Sequence, residues 1–554
     1  MSRNLFIVES PNKVRKLSSI LGRSYRVLAS VGHIRDLPVR QGLGVRFADG
    51  RIEETYDIDP DKRRRVRELQ QAAGQADVVY LATDPDREGE AIAWHLAEVL
   101  GPQHTYRRVR YQELTPAGVR RALQEAGAID GHLVGAQRAR RVLDRVVGWS
   151  VSPTCAEGTG DPRARSAGRC QSVALRLLAE REEAIGAFRP ETYFLIKAIL
   201  QAGEREPLFP ATLTHWDDVA VAKDQALRSR TDAETVVATI RASALRVADI
   251  TRRDILVRPP KPYTTSTAQQ DFSAQLKLRP QQSMQVLQRL FEQGLITYHR
   301  TDAVYLAGDA VTAIRDLIHH RFGPESLPQT PPRFQSGADA QEAHESIRPT
   351  HLEQGPDHPD LADVAARVYA LIWRRTVASQ MRPGQDAKTI VQIAVDHQGQ
   401  VRGTLQATGR VVVDPGFRLV YEDYEAQARQ RRRRDVEARL PAITSEDPIR
   451  LDDCTAKQEH TKPPPRFTEA GLIKRLEKDG IGRPSTYAAI VETIRARGYV
   501  TVRKMQYHVT ETGMRLTAFL VRAYRDDFIE IPFTARVERV FDEVCARIRR
   551  RRQV

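Results

Sequence analysis

Three acids in Asp84-Pro-Asp86-Arg-Glu88 and a tyrosine in Gly294-Leu-Ile-Thr-Tyr298-His-Arg300-Thr-Asp302 concentrate the chemistry of this 554-residue chain. Clustered carboxylates are hard oxygen ligands, suited to Mg²⁺ that keeps several of its waters. Without the ion they would repel one another and any polyanion brought near them. A tyrosine hydroxyl beside an arginine supplies a nucleophile and a phosphate clamp. Together the two segments suit the breaking and remaking of a phosphodiester through a covalent protein link. A phosphotyrosine conserves the energy of that bond, so a strand can be opened and resealed without ATP. A phenol with pKa about 10 is protonated at neutral pH and needs a nearby positive charge or proton acceptor. Arg300, two residues on, shares the face of Tyr298 if the backbone is extended, and is the first candidate for the clamp. Arg348 and His344 are further candidates.

The elements that must position these groups can be read from periodicity. Leu5 to Val8 is an apolar strand ending at Glu9, and Ser10 is a candidate cap for a helix whose apolar positions are Val14, Leu17, Ile20 and Leu21. Asp77 to Thr83 reads as a second strand, and Ala91, Ile92, His95, Leu96 and Val99 recur with helical spacing after it. Asp84 and Asp86 are thus expected at a strand's carboxyl end and Glu88 near the next helix's first turn, where open α/β sheets place ligands. Glu9 is expected to converge on the same crevice. The bland reading makes these acids exposed decoration of a helix start.

Residues 1–115 therefore read as α/β. Residues 116–190 read as a basic helical lobe, with Glu157 to Arg165 as a loop by its glycines and proline. The ranges 191–257 and 381–445 carry alternating runs such as Tyr193 to Leu200 and Gly409 to Asp414, which predict β-rich lobes. Residues 258–380 are mainly helical: Thr267 is a candidate cap, Pro280 opens a helix, and Met284, Leu287, Leu290 and Phe291 form its stripe before Gly294 ends it. Residues 446–554 hold helices at Thr468 to Lys478 and Pro484 to Ala496, then β-prone Tyr499 to Arg503 and Tyr507 to Thr510, which together predict a helix-turn-helix with a wing. Arg431 to Arg434 reads as a solvated excursion.

Lys and Arg number 86 against 71 Asp and Glu, giving a formal charge of +15, so a polyanion is the natural partner. No stretch approaches the roughly 20 apolar residues of a membrane span, which points to a cytoplasmic protein. Cys155, Cys170, Cys454 and Cys545 form no Cys-x-x-Cys pair, and there is no Walker A sequence to couple ATP.

In order along the chain stand Ile7-Val-Glu9-Ser-Pro11 with Lys13, Ser30-Val-Gly-His33-Ile-Arg-Asp-Leu-Pro38, Asp84 to Trp94, Ser166-Ala-Gly-Arg169-Cys-Gln-Ser172, Gly294 to Asp302, Glu342-Ala-His344-Glu-Ser-Ile-Arg348-Pro, and Gly480-Ile-Gly-Arg483-Pro-Ser-Thr-Tyr487. Together they resemble the type IA DNA topoisomerases, most closely the bacterial topoisomerase I branch without its zinc-ribbon extensions. The resemblance implies a multidomain α/β and α+β architecture in which a TOPRIM lobe, winged-helix-like helical lobes and a β-rich arch form a toroidal padlock. It implies a monomer, nucleoid-associated, that relaxes negatively supercoiled DNA without ATP through a 5′-phosphotyrosine on Tyr298 in single-stranded DNA. Mg²⁺ would be held by Asp84, Asp86, Glu88 and Glu9. Glu9 and Lys13 would share the handling of the departing 3′ oxygen, and His33, Arg169 and Arg483 join Arg348 as DNA contacts. The family usually has methionine and serine where this chain has His299 and Ala303, so the tyrosine's surroundings lose a hydroxyl and gain a titratable ring. A topoisomerase III-like decatenase shares the chemistry. A TOPRIM nuclease or primase would use the acids without needing Tyr298, and a non-catalytic DNA-binding protein would need only the charge and the wing.

Overall fold

Leu5, Phe6, Ile7 and Val8 are all buried, as a strand covered on both faces requires. In the computed structural model, which describes residues 4–38, 42–48, 51–203, 206–221, 227–335, 344–421, 440–525 and 527–552, this strand, Asn4–Val8, is central in a parallel sheet. The order is Tyr25–Ala29, Asn4–Val8, Val78–Leu81, Thr105–Arg108. Ile7 lies opposite Leu81, so the loops bearing Glu9 and Asp84 leave neighbouring strands at the same edge. The helix Arg87–Leu100 follows, with Ile92, Leu96 and Leu100 packed against Leu5, Ile7 and Leu81. Asp86 is its N-cap and accepts the Gly89 N–H at 2.8 Å. A Cβ at position 89 would come within 2.0 Å of the Asp84 carbonyl oxygen, so only glycine permits this tight strand-to-helix turn. Ser10 is displaced from the expected cap. The helix Asn12–Leu21 begins after Pro11, and the Ser10 hydroxyl accepts only the Asn12 N–H, at 3.3 Å.

The lobe carrying Tyr298 contains the helices Thr265–Leu276, Pro280–Glu292, Gly308–Phe322 and Asp363–Ser379. Thr264, not Thr267, caps the first of them. Thr267 sits at the third helical position and its hydroxyl accepts the Thr264 N–H at 2.9 Å, a reciprocal capping box. Gly294, at φ +67°, ends the second helix, and a Cβ there would meet the Leu114 carbonyl oxygen at 2.5 Å. Leu287, Leu290, Phe291 and Tyr298 share one core with Phe6, Val8, Ala82, Val109 and Tyr111. Tyr298 N–H donates to the Gln112 carbonyl at 2.8 Å, which ties the tyrosine's segment to the α/β lobe.

The arch is antiparallel. Its strands run Phe209–Trp216, Gln400–Asp414, Gly384–His397, Ala244–Val257, Ile449–His460, Thr192–Ala202, and the first also pairs with the last, so the sheet doubles back. The join between Ala244–Val257 and Ile449–His460 is the single pair Leu245↔Ile449. A boundary at residue 445 therefore cuts off an arch strand: Ile449–His460 pairs with Thr192–Ala202 from Ile449↔Ala202 to His460↔Thr192. Within it only Ile449 and Cys454 are buried, and Arg450, Asp452, Asp453, Lys457 and Glu459 hide the alternation.

Two helical stretches far apart in sequence build the remaining lobe. Val173, Leu177 and Leu178 pack with Leu472, Leu476, Ile490 and Leu516. The helices Glu469–Lys478 and Tyr487–Ala496 precede an antiparallel wing, Val500–Arg503 with Gln506–Val509. The loop expected over Glu157 to Arg165 is shorter than its glycines implied. The helix Gly131–Thr159 continues through Gly158 and stops at Gly160, whose left-handed φ of +62° closes it. Glu342 and Arg431 to Arg434 lie outside the described residues.

Candidate active site

Tyr298 is 1% exposed. Its hydroxyl donates to Asp86 Oδ2 at 2.6 Å, and Arg300 Nη1 reaches the same oxygen at 3.4 Å. The ring lies edge-on to Phe291, centroids 5.3 Å apart, and stacks on His344 at 5.6 Å. Burial and the Asp86 carboxylate push the phenol well above its ordinary pKa, with Arg300 pulling the other way. Burial would raise Asp86 too, but Arg300, the Tyr298 hydroxyl and the Gly89 N–H hold it below the usual carboxylate value. The proton thus rests on the tyrosine. A protonated phenol lies against a carboxylate, and a guanidinium two residues away faces the same carboxylate oxygen.

Lys13 is fully buried and ion-paired to Asp84, itself 1% exposed, with its ammonium 5.0 Å from the centre of the Phe291 ring. Burial alone would lower the Lys13 pKa, yet Asp84, Tyr111 and Glu9 hold it above the ordinary lysine value. Burial and the neighbouring Asp84 raise Glu9 to about 7, Lys13 offsetting part of the shift. Glu9 Oε2 is buried without a hydrogen-bond partner among the described residues. Glu88 turns the other way, accepting from Gln137 Nε2 at 3.2 Å and pairing with His33 Nε2 at 3.0 Å. Burial would lower His33, but Glu88 raises it above the ordinary histidine value.

No group of three His, Cys, Asp or Glu side chains among the described residues is gathered as a ready metal cluster. The acids instead hold Lys13, Tyr298 and His33. Their donor chemistry nonetheless fits a hard divalent cation, and the Glu9 oxygen near Asp84 and Asp86 is a buried acceptor without a partner among the described residues.

The arginines expected on DNA are ion-paired in this structure. Arg169, 1% exposed, donates from Nε to Asp144 at 2.9 Å and from Nη2 to Glu538 at 2.7 Å. Arg348, 7% exposed, is held by Glu345 at 2.6 Å and Glu113 at 3.1 Å. Both are inside because carboxylates from other segments neutralise them, the condition for burying a guanidinium. Arg483 pairs with Asp542, as does Arg87. It borders a cleft with Asp86, Glu88, Arg300, Gln137 and Arg140. Gln137 and Arg140 escaped the residue-level reading, although their basic helical segment was visible. A larger cavity of about 850 Å³ runs from Glu9 and Asn12 past Gln288, His299 and Arg300 to the Tyr487–Ala496 helix.

Residues 4–114 match the Toprim domain family, and residues 128–554 match the DNA topoisomerase family. DNA topoisomerase 1 of Rickettsia felis is 37% identical over 98% of this chain and 70% of that protein. The Salmonella typhimurium enzyme of the same name is 38% identical over 98% of this chain and 64% of its own length. The Zymomonas mobilis enzyme is 38% identical over 98% of this chain and 44% of its own length. The chain thus spans between about half and about two thirds of these relatives. The solved structure of full-length topoisomerase I from Thermotoga maritima superposes with TM-score 0.82 at 30% identity, covering 98% of this chain and 86% of that one. On these matches the chain belongs to the type IA DNA topoisomerases, in their bacterial topoisomerase I branch.

Proposed function

We propose that this chain relaxes negatively supercoiled DNA by transient single-strand cleavage, strand passage and religation, acting as a monomer, without ATP, in the cytoplasm at the nucleoid. The observation that carries the reading is the convergence of the Tyr298 hydroxyl and Arg300 on one oxygen of Asp86. A nuclease or primase built on the acids alone leaves that contact without a purpose. Every part of the site comes from one chain, which is the ground for a monomer.

When a strand enters, its phosphate takes the place of Asp86 as the partner of Arg300, and Tyr298 Oη attacks phosphorus. The Oη–P bond forms and the bond from phosphorus to the 3′ oxygen breaks. The phenolic proton leaves to Asp86, and Glu9, protonated below about pH 7, supplies the proton that the 3′ oxygen needs. Lys13 stabilises the charge on that oxygen as it departs. Reversal of the same transfers reseals the strand, and underwinding supplies the single-stranded substrate and the driving force. Asp84, Asp86 and Glu88, joined by Glu9 when it is ionised rather than acting as the acid, would hold Mg²⁺, which would supply electrostatic stabilisation of the phosphate and screen the acids from the DNA.

Tyr298→Phe tests the reading by removing one oxygen. Relaxation of a supercoiled plasmid is expected to fall by a factor on the order of 10⁴ or more while single-strand binding persists. Relaxation at the parent rate would contradict it.

A further inference from the structure

His299 is a costly residue in the cleft to leave as it stands. It is 0% exposed, and neither ring nitrogen has a hydrogen-bond partner among the described residues. Its neighbours are the rings of Phe291, at 6.0 Å, and Tyr298, at 5.5 Å. An imidazole buried without partners loses its hydration and gains nothing in return, so a ligand that supplied the missing partner would be favoured here. Burial, with Arg300 next, holds the ring well below the ordinary histidine pKa, so it stays neutral and carries one donor and one acceptor.

The cavity indicates what such a ligand is. His299 and Arg300 both form part of its wall, alongside Gln288, Arg289 and Ser485. Gln288 Oε1 is likewise buried without a partner. At about 850 Å³ the cavity is large enough for a short run of nucleotides rather than a single ion. Tyr298 and His299 are consecutive, their ring centres separated by 5.5 Å, of the order of one nucleotide step in an extended strand. Tyr298 must leave Asp86 to reach a phosphate, and the adjoining residue moves with it.

We propose that His299 is a substrate contact, donating a hydrogen bond from its neutral imidazole to the phosphodiester next to the one that Tyr298 attacks, and so helps to set the register of the cleaved strand. This rests on the cleavage activity proposed above. A methionine at this position, as the family usually has, cannot make the bond.

The test uses the whole chain and a set of single-stranded oligonucleotides, each with one uncharged methylphosphonate linkage placed at a different position around the cleavage site. In the parent protein, substitution of one linkage adjacent to the cleaved one is expected to slow cleavage about ten- to a hundredfold beyond the other neighbours. In His299→Met that linkage loses its special sensitivity, and the unmodified strand is cleaved correspondingly more slowly. His299→Gln, which keeps a donor, retains part of the sensitivity. A parent scan with no sensitive adjacent linkage overturns the assignment whether or not the variants fold, and identical scans for parent and His299→Met overturn it as well. Absence of cleavage by the parent on every strand would instead count against the activity itself.

Discussion

The arch and the cleft both bury charge, and they finish the task differently. In the arch Asp386 is 2% exposed and both its oxygens are used, Oδ1 by Arg418 at 2.6 Å and Oδ2 by Arg410 at 2.7 Å. No described arch strand leaves a buried side-chain nitrogen or oxygen without a partner. In the cleft Glu9 Oε2, Gln288 Oε1 and both nitrogens of His299 are left unpaired. A saturated network resists change, because any movement exposes or orphans a polar group. An unsaturated one is stabilised by whatever completes it. The contrast agrees with the proposal that the cleft receives the strand.

That division can be broken most severely at the acids. Replacing Asp84 and Asp86 together with alanine is expected to slow relaxation roughly a hundredfold to a thousandfold, the size typical of a lost electrostatic contact in a transition state. Affinity for single strands should change far less, since Arg300 remains and loses its carboxylate partner. Full relaxation by this double variant in saturating chelator would remove the metal from the account.

Next in size is the effect of pH on cleavage, measured on an oligonucleotide without added divalent cation. Burial and Asp84 raise Glu9 to about 7, so the protonated acid predominates below that value and is lost above it. Cleavage is expected to fall about tenfold per pH unit above 7 and to be flat and slow in Glu9→Gln. A parent profile with no decline between pH 7 and 9 would take the proton donation from Glu9.

Asp386→Ala sharpens the comparison from the other side. It leaves Arg410 and Arg418 without their shared partner, at a cost reduced by their partial exposure to about 1–3 kcal/mol. Thermal melting should register the loss and plasmid relaxation should slow, while cleavage of a short oligonucleotide stays within about twofold. An equal loss in both assays would mean that the arch shapes the cleft directly. The smallest effect is expected at Arg402, whose pair with Asp217 lies at the surface. Arg402→Ala should leave both thermal melting and relaxation essentially as they were.

What could be read from sequence was local. Strand, acidic turn and helix follow one another from Val78 to Leu100, so the places of Asp84, Asp86 and Glu88 were written in hydrophobic period and cap chemistry. The glycine stop before Tyr298 was legible for the same reason. The ion pairs of the arginines were not, because a string does not mark which carboxylate a guanidinium will meet. One partner of Arg169 is Glu538, 369 residues away. The last arch strand along the chain, Ile449–His460, escaped because its inward positions are too few to alternate visibly. The unfinished state of His299 was also invisible: its type was evident, but the absence of partners is a property of the packed lobes.

The central claim is that Tyr298 carries the strand, and the most direct measurement is the location of the covalent link. A single-stranded oligonucleotide trapped on the protein, digested and mapped by mass spectrometry should leave its 5′-phosphate on the peptide containing Tyr298 and on that residue's oxygen. A nucleotide mapped to any other residue would contradict the account.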